Sequence, residues 1–171
     1  MCIRVRSINR GFSAPVVIES DRTAEDLAFL SAHDDDPFAR YEAMQQLMLD
    51  TLVAGTINGT MNSEAVIDAV ARTLEAEGLE PAFLAEAVLL PSENFIGDQL
   101  AMVDPDAIHA ARESLREQLG RALAPAWRRL YAEMAQGAYV YSPEAKGRRR
   151  LRNVALGYIC LLYTSPSPRD S

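Results

Sequence analysis

Chemistry-bearing residues are scarce in this chain. Histidine occurs twice, as His33 and His109, and cysteine twice, as Cys2 and Cys160, among 171 residues. There is no H-E-x-x-H, no phosphate-cradling Gly-rich loop and no G-x-S-x-G, so three common frames for hydrolytic or nucleotide chemistry are missing. Asp106 precedes His109 by one helical turn, but no third ligand falls at a zinc-compatible spacing. Both histidines read as surface or capping residues. No apolar run is long enough to cross a bilayer, and the N-terminus lacks the apolar run of a signal peptide.

Bases are also rare over a long first part. From Glu19 to Asp106 there are 19 acids against 3 bases, a balance of −16, whereas Ala107 to Ile159 carries 10 bases against 4 acids, or +6. Such a division suits two layers or neighbouring domains that attract each other. It does not suit a nucleic-acid binder, because the acidic bulk repels a polyanion.

The two cysteines sit at the ends. The ending Cys160-Leu161-Leu162-Tyr163-Thr164-Ser165-Pro166-Ser167-Pro168-Arg169-Asp170-Ser171 resembles one reading frame of a transposon adapter used in preparing sequencing libraries. Met1-Cys2-Ile3-Arg4 resembles the opposite strand, although Val5 departs from the expected Asp. On this reading residues 1–7 are an uncertain leader and 160–171 an adapter translation, which like any appended tag carries no fold information. The intervening segment then has no cysteine, and neither a cysteine nucleophile nor a thiolate zinc site belongs to it.

What is present is mostly helical. Residues 8–20 have extended character, with Gly11 and Pro15 against helix and β-branched Val16 to Ile18 in favour of strand. One or two strands do not make a stable sheet, so this reads as the last strand or strands of a β domain. From Asp21 the apolar period becomes 3.6. Thr23 with Asp26 predicts a capping box for a helix to about His33, carrying Leu27 and Leu30. Asp36-Pro37 predicts a start for a helix to about Ala54, burying Phe38, Tyr41, Met44, Leu47, Met48 and Leu52, before a loop over 55–61. Ser63 opens a helix stopped by Gly78, and Pro81 opens a short one.

That short helix must end at Leu89-Leu90-Pro91-Ser92-Glu93-Asn94. Pro91 lacks an N–H and disfavours helix at Leu90, while Ser92 is placed to cap the next helix. An elbow is the consequence. The next helix is expected from Glu93 to about Met102 with Phe95, Ile96 and Leu100 inward. Asp104-Pro105 starts another, on which Ile108, Ala111, Leu115 and Leu119 form the stripe. Gly120 and Pro125 predict a kink or break before a helix to about Gln136. Gly137 to Tyr141 is a loop, and Ser142-Pro143-Glu144 caps a last helix with Leu151, Val154, Ala155 and Tyr158 inward. The fold class is mainly α: about eight helices in an α-solenoid or irregular bundle after a short β remnant.

Three clusters stand out on these elements. Asp34-Asp35-Asp36 lacks the alternation and Gly of a calcium loop, and favours the positive end of the following helix instead. Lys146, Arg148, Arg149, Arg150 and Arg152 place five positive charges within seven residues. Near a helix start they oppose the dipole, so a solvated face competes with pairing to the acidic half or to another domain. Trp127 and Tyr131 read as core.

Five motifs occur in order: Arg10-Gly11-Phe12-Ser13-Ala14-Pro15-Val16; Asp36 with Phe38 and Arg40; Leu90-Pro91-Ser92-Glu93-Asn94; Asp104-Pro105; and Arg150-Leu151-Arg152-Asn153. Over residues 8–159 they resemble bacterial aminopeptidase N, a family of gluzincin zinc metallopeptidases. The resemblance implies that 8–20 ends a β-sandwich domain and 21–159 begins a helical C-terminal domain. It implies a cytoplasmic parent enzyme that removes N-terminal residues from peptides, with zinc held by a catalytic domain of the same chain as this segment's partner. The family's zinc ligands and amine-binding G-x-M-E-N have no counterpart here, so no catalytic, substrate-binding or metal residue is carried over. An inactive, zinc-free segment walling the active-site chamber is the expectation. A free-standing helical protein-interaction module is the alternative.

Overall fold

The computed structural model describes residue 11, residues 21–135 and residues 137–164, with 163 and 164 described by backbone alone. Among these, eight helices follow one another: α1 Ala24–His33, α2 Pro37–Asn58, α3 Glu64–Glu75, α4 Pro81–Ala87, α5 Glu93–Gly97, α6 Pro105–Ala122, α7 Ala124–Glu133 and α8 Pro143–Thr164. The described residues contain no strand, and none of their helices is long and apolar enough to cross a membrane. The segment expected to be extended, 8–20, lies outside the described residues except for Gly11. That glycine takes φ +64° and donates its N–H to Asp36 Oδ2 at 2.7 Å.

Local chemistry fixes most helix starts. Thr23 Oγ1 accepts from Asp26 N–H at 3.2 Å and Asp26 Oδ2 accepts from Thr23 N–H at 3.1 Å, the reciprocal box expected for α1. Asp36, Ser92, Asp104 and Ser142 each accept from a first-turn N–H, and proline follows three of the four. Ser63 departs from this pattern. Its hydroxyl donates across to Gln118 Oε1 on α6 at 2.5 Å, and Asn62 Oδ1 receives the Glu64 N–H instead.

Helix α2 is the axle of the packing, touching α1, α3, α4, α5 and α6, while α8 packs on α4, α6 and α7. Met44, Leu47, Met48 and Leu52 of α2 are essentially inaccessible and form one core with Val66, Leu115, Leu119, Trp127 and Leu151. Each fully buried side chain of this size contributes about 1.5–3 kcal/mol of hydrophobic stabilisation.

Several boundaries differ from the sequence reading. Helix α2 runs one turn past Ala54 because Gly55 is a packing residue, not a stop: a Cβ there would lie 3.2 Å from Met61 Cβ and 3.6 Å from Ala111 Cβ. The stop is Gly59, left-handed at φ +68°. Helix α3 ends at Glu75, and Gly78 turns the chain three residues later at φ +79°. Helix α5 ends at Gly97 and not near Met102. With so short a helix only Ile96 and Gly97 reach the core, and Phe95, expected inward, is 48% exposed. Gly120 and Pro125 bracket a true break, with Leu123 ending α6 and preceding α7; α7 stops at Glu133, leaving Ala132 exposed. Helix α8 continues through Cys160 to Thr164.

Candidate functional site

The elbow between α4 and α5 gathers more of the molecule than any loop of its length would suggest. Where Pro91 ends helical hydrogen bonding, the preceding carbonyls lose their helical partners. Side chains from three other helices replace them. Tyr158 of α8 donates its hydroxyl to Val88 O at 3.0 Å, and Gln45 of α2 donates Nε2–H to Leu89 O at 3.0 Å, with a weaker contact to Ala87 O at 3.5 Å. Arg112 of α6 donates Nε–H to Pro91 O at 2.9 Å. Pro91 is itself buried, and Ser92 Oγ accepts from Phe95 N–H at 3.2 Å to start α5.

Tyr158 extends this knot. Its ring stacks on Trp127 with centroids 4.3 Å apart and planes 9° apart, and the Trp127 indole N–H is donated to Leu119 O at 3.0 Å. One continuous line thus runs from α6 through α7 and α8 to the end of α4. Burial pushes the Tyr158 phenol up to about 12, the nearby Arg116 and Arg112 charges opposing this only in part. The neutral form therefore holds the Val88 carbonyl.

Two grooves flank the elbow, and Leu89 and Leu90 line both. The first, about 450 Å3, carries Glu42, Glu86, Tyr41, Gln45 and Phe95. The second, about 680 Å3, carries Arg112, Arg116, Lys146, Arg149, Arg150 and Asn153 with no carboxylate among its lining residues. Arg150 Nε–H pairs with Glu86 at the seam, which raises the Arg150 pKa through that hydrogen bond and the adjacent charge.

The basic cluster of α8 is divided: Lys146, Arg149 and Arg150 line the second groove, and Arg148 and Arg152 are not among its lining residues. Arg150 reaches the acidic first half through Glu86. Arg148 donates to Glu133 O at 2.6 Å, Arg149 donates to Val140 O at 3.0 Å and lies 4.8 Å from the Tyr139 ring centroid, and Arg152 sits 4.4 Å from that of Tyr131. Backbone carbonyls and rings, more than acids, offset these charges.

The remaining candidates do not converge. His109 Nδ1 on α6 lies 2.8 Å from Glu93 Oε1 on α5, and that hydrogen bond, with the Glu93 charge, raises the His109 pKa. His33 lies against Phe29, with ring centroids 4.8 Å apart. Asp34 Oδ1 accepts from Asp36 N–H at 2.9 Å and Asp36 caps α2, so two of the three acids serve the entry to that helix. Among the described residues no three His, Cys, Asp or Glu side chains are grouped to hold a metal ion. The donor set therefore does not fit zinc. Cys160 is exposed. Gln45 and Arg112 carried no sequence signal for their elbow roles; Tyr158 was legible as inward-facing, but its acceptor was not.

Caps at the helix starts, an axial helix and a proline elbow held from three sides define, among the described residues, a domain of packed helices. Residues 24–170 match the family described as "Domain of unknown function (DUF3458_C) ARM repeats", and the chain belongs to that family. It is 39% identical over 152 residues to aminopeptidase N of Caulobacter vibrioides, covering 87% of this chain and 18% of the relative. Aminopeptidase N of Escherichia coli is 31% identical over 153 residues, covering 86% and 18%. The chain spans about one fifth of the length of these relatives, and the resemblance to bacterial aminopeptidase N read from the five motifs is borne out. The fold matches a crystal structure of Legionella pneumophila aminopeptidase A in complex with aspartic acid, with TM-score 0.79 and 23% identity over 93% of this chain and 20% of that one.

Proposed function

We propose that this chain is a non-catalytic part of a zinc aminopeptidase that removes N-terminal residues from peptides, and that its helices help wall the chamber in which the reaction occurs. The observation that carries this reading is the 39% identity to one aminopeptidase N across 87% of the chain, which leaves most of that relative's length to supply the chemistry. Residues 8–20 are the end of a β-sandwich domain, 21–159 the first part of a helical C-terminal domain, and 160–171 an adapter translation. The parent is cytoplasmic.

In such an enzyme zinc activates water and acidic groups hold the substrate amine. Among the described residues no three His, Cys, Asp or Glu side chains are grouped to hold a metal ion, and no step is assigned to them. Their contribution is shape: a braced elbow fixes helix directions, and a rigid wall limits substrate size and water access.

Sequencing the uninterrupted gene tests the reading. An open reading frame continuing upstream through a β-sandwich into H-E-x-x-H is the expected result. A gene starting near Ile8 and stopping near Ile159 contradicts it and favours the free-standing interaction module.

A further inference from the structure

The second groove beside the elbow is not absorbed by the scaffold role. Two helices face each other across it: Arg112 and Arg116 from α6, Lys146, Arg149, Arg150 and Asn153 from α8. Among the described residues its five cations have two close carboxylates. Glu113 serves both Arg112 at 3.6 Å and Arg116 at 3.3 Å, and Glu86 serves Arg150. A net of about three positive charges therefore remains in a space of about 680 Å3, where low-dielectric walls focus the field.

Three of the arginines are also held in place before any ligand arrives. Arg112 is fixed by Pro91 O, Arg116 by Gly157 O at 3.4 Å and Arg149 by Val140 O. Guanidinium forks set in advance lose little freedom on binding and match the paired oxygens of phosphate or carboxylate. Leu89, Leu90 and Val154 add apolar lining, and the volume is that of a small-molecule site.

We propose that this groove binds a small oxyanion carrying two or more negative charges, held between the α6 arginines and Lys146 and Arg149 of α8. The shared chemistry is a set of anionic oxygens, from either a condensed phosphate or a polycarboxylate. The site is independent of the peptidase reading, because it rests on side chains of this chain alone.

Isothermal titration of the 171-residue chain at a fixed ionic strength of about 0.15 M, near which screening removes long-range attraction, is the test. The probes are tripolyphosphate, citrate and a hexaglutamate peptide. One tripolyphosphate or citrate per chain should bind saturably, and whichever binds more tightly identifies the source of the oxyanion. Lys146→Gln and, separately, Arg149→Gln should each weaken it about tenfold, the scale of one charge-assisted contact. Arg72→Gln removes the same charge from the exposed face of α3 and should change affinity less than about twofold. Circular dichroism of each variant confirms an unchanged helical fold. Three results would each overturn the proposal: no saturable binding of either small anion, equal losses in Lys146→Gln and Arg72→Gln, or tighter binding of hexaglutamate, which would make the occupant an acidic polypeptide.

Discussion

Tyr158 shows how much of this molecule depends on single hydrogen bonds made at the elbow. Replacing it by Phe keeps the stack on Trp127 and removes only the donor to Val88 O. A buried carbonyl left without a partner costs about 1–3 kcal/mol, so Tyr158→Phe should lower stability to urea by that amount. The pH dependence has a definite sign. The folded phenol ionises at about 12 and the unfolded one at its ordinary 10.0, so this group's stabilisation is intact below pH 10 and is lost as pH rises toward 12. Alkaline difference spectroscopy should find one tyrosine that stays neutral until about pH 12, and Tyr158→Phe should remove it. His109 carries a milder effect. Its pKa is raised above 6.5 by Glu93, with Glu113 adding to this and Arg112 opposing it. Its contribution is therefore present at pH below 6.5 and fades as pH passes its folded value. An NMR titration should place His109 above 6.5, and Glu93→Gln should bring it down; no change in that variant would contradict the pairing.

At the scale of elements, close helix crossings are set by glycines. A Cβ at Gly147 of α8 would lie 2.9 Å from Ala82 N and 3.3 Å from Ala82 Cα, backbone of α4 that cannot move aside without separating the helices. Gly147→Ala should therefore destabilise by about 1–3 kcal/mol, although alanine is the better helix former. Gly157→Ala is the contrast. Its nearest neighbour is the Arg116 Nη2 atom at 3.8 Å, so helix propensity should prevail and raise stability by about 0.5–1 kcal/mol. Thermal melts of the two variants, moving in opposite directions, check this. The helices themselves were largely legible in the sequence, because Thr23, Asp36, Ser92, Asp104 and Ser142 announce their starts by local chemistry. Gly55 was not, since a glycine that stops a helix and one that lets another helix approach look the same along the chain. Phe95 failed for a related reason: its spacing fits a buried stripe, but α5 is too short to present one.

At the scale of the whole molecule, the opposed charge balances of the two parts of the sequence do not translate into a zipper of ion pairs. Among the described residues the paired contact between α8 and the acidic first half is Arg150 with Glu86, while the other α8 arginines turn to carbonyls and rings. The candidate site was only partly legible for the same reason. The elbow could be read from Pro91 and Ser92, but Gln45 and Arg112 meet it through contacts 44 and 21 residues apart in sequence, which no local pattern encodes. Ile57, Met102, Val103, Tyr139 and Tyr141 are each more than half exposed. Apolar side chains so exposed favour association, so light scattering should show concentration-dependent self-association of the isolated chain; a monodisperse monomer at all concentrations would count against it. As proposed, this chain contributes shape to a peptidase whose chemistry lies in the rest of the parent protein. The most direct test is zinc content and aminoacyl-anilide hydrolysis of the purified chain after equilibration with zinc. No stoichiometric zinc and no chromophore release above the uncatalysed rate are expected; zinc-dependent turnover by this chain alone would overturn the proposed role.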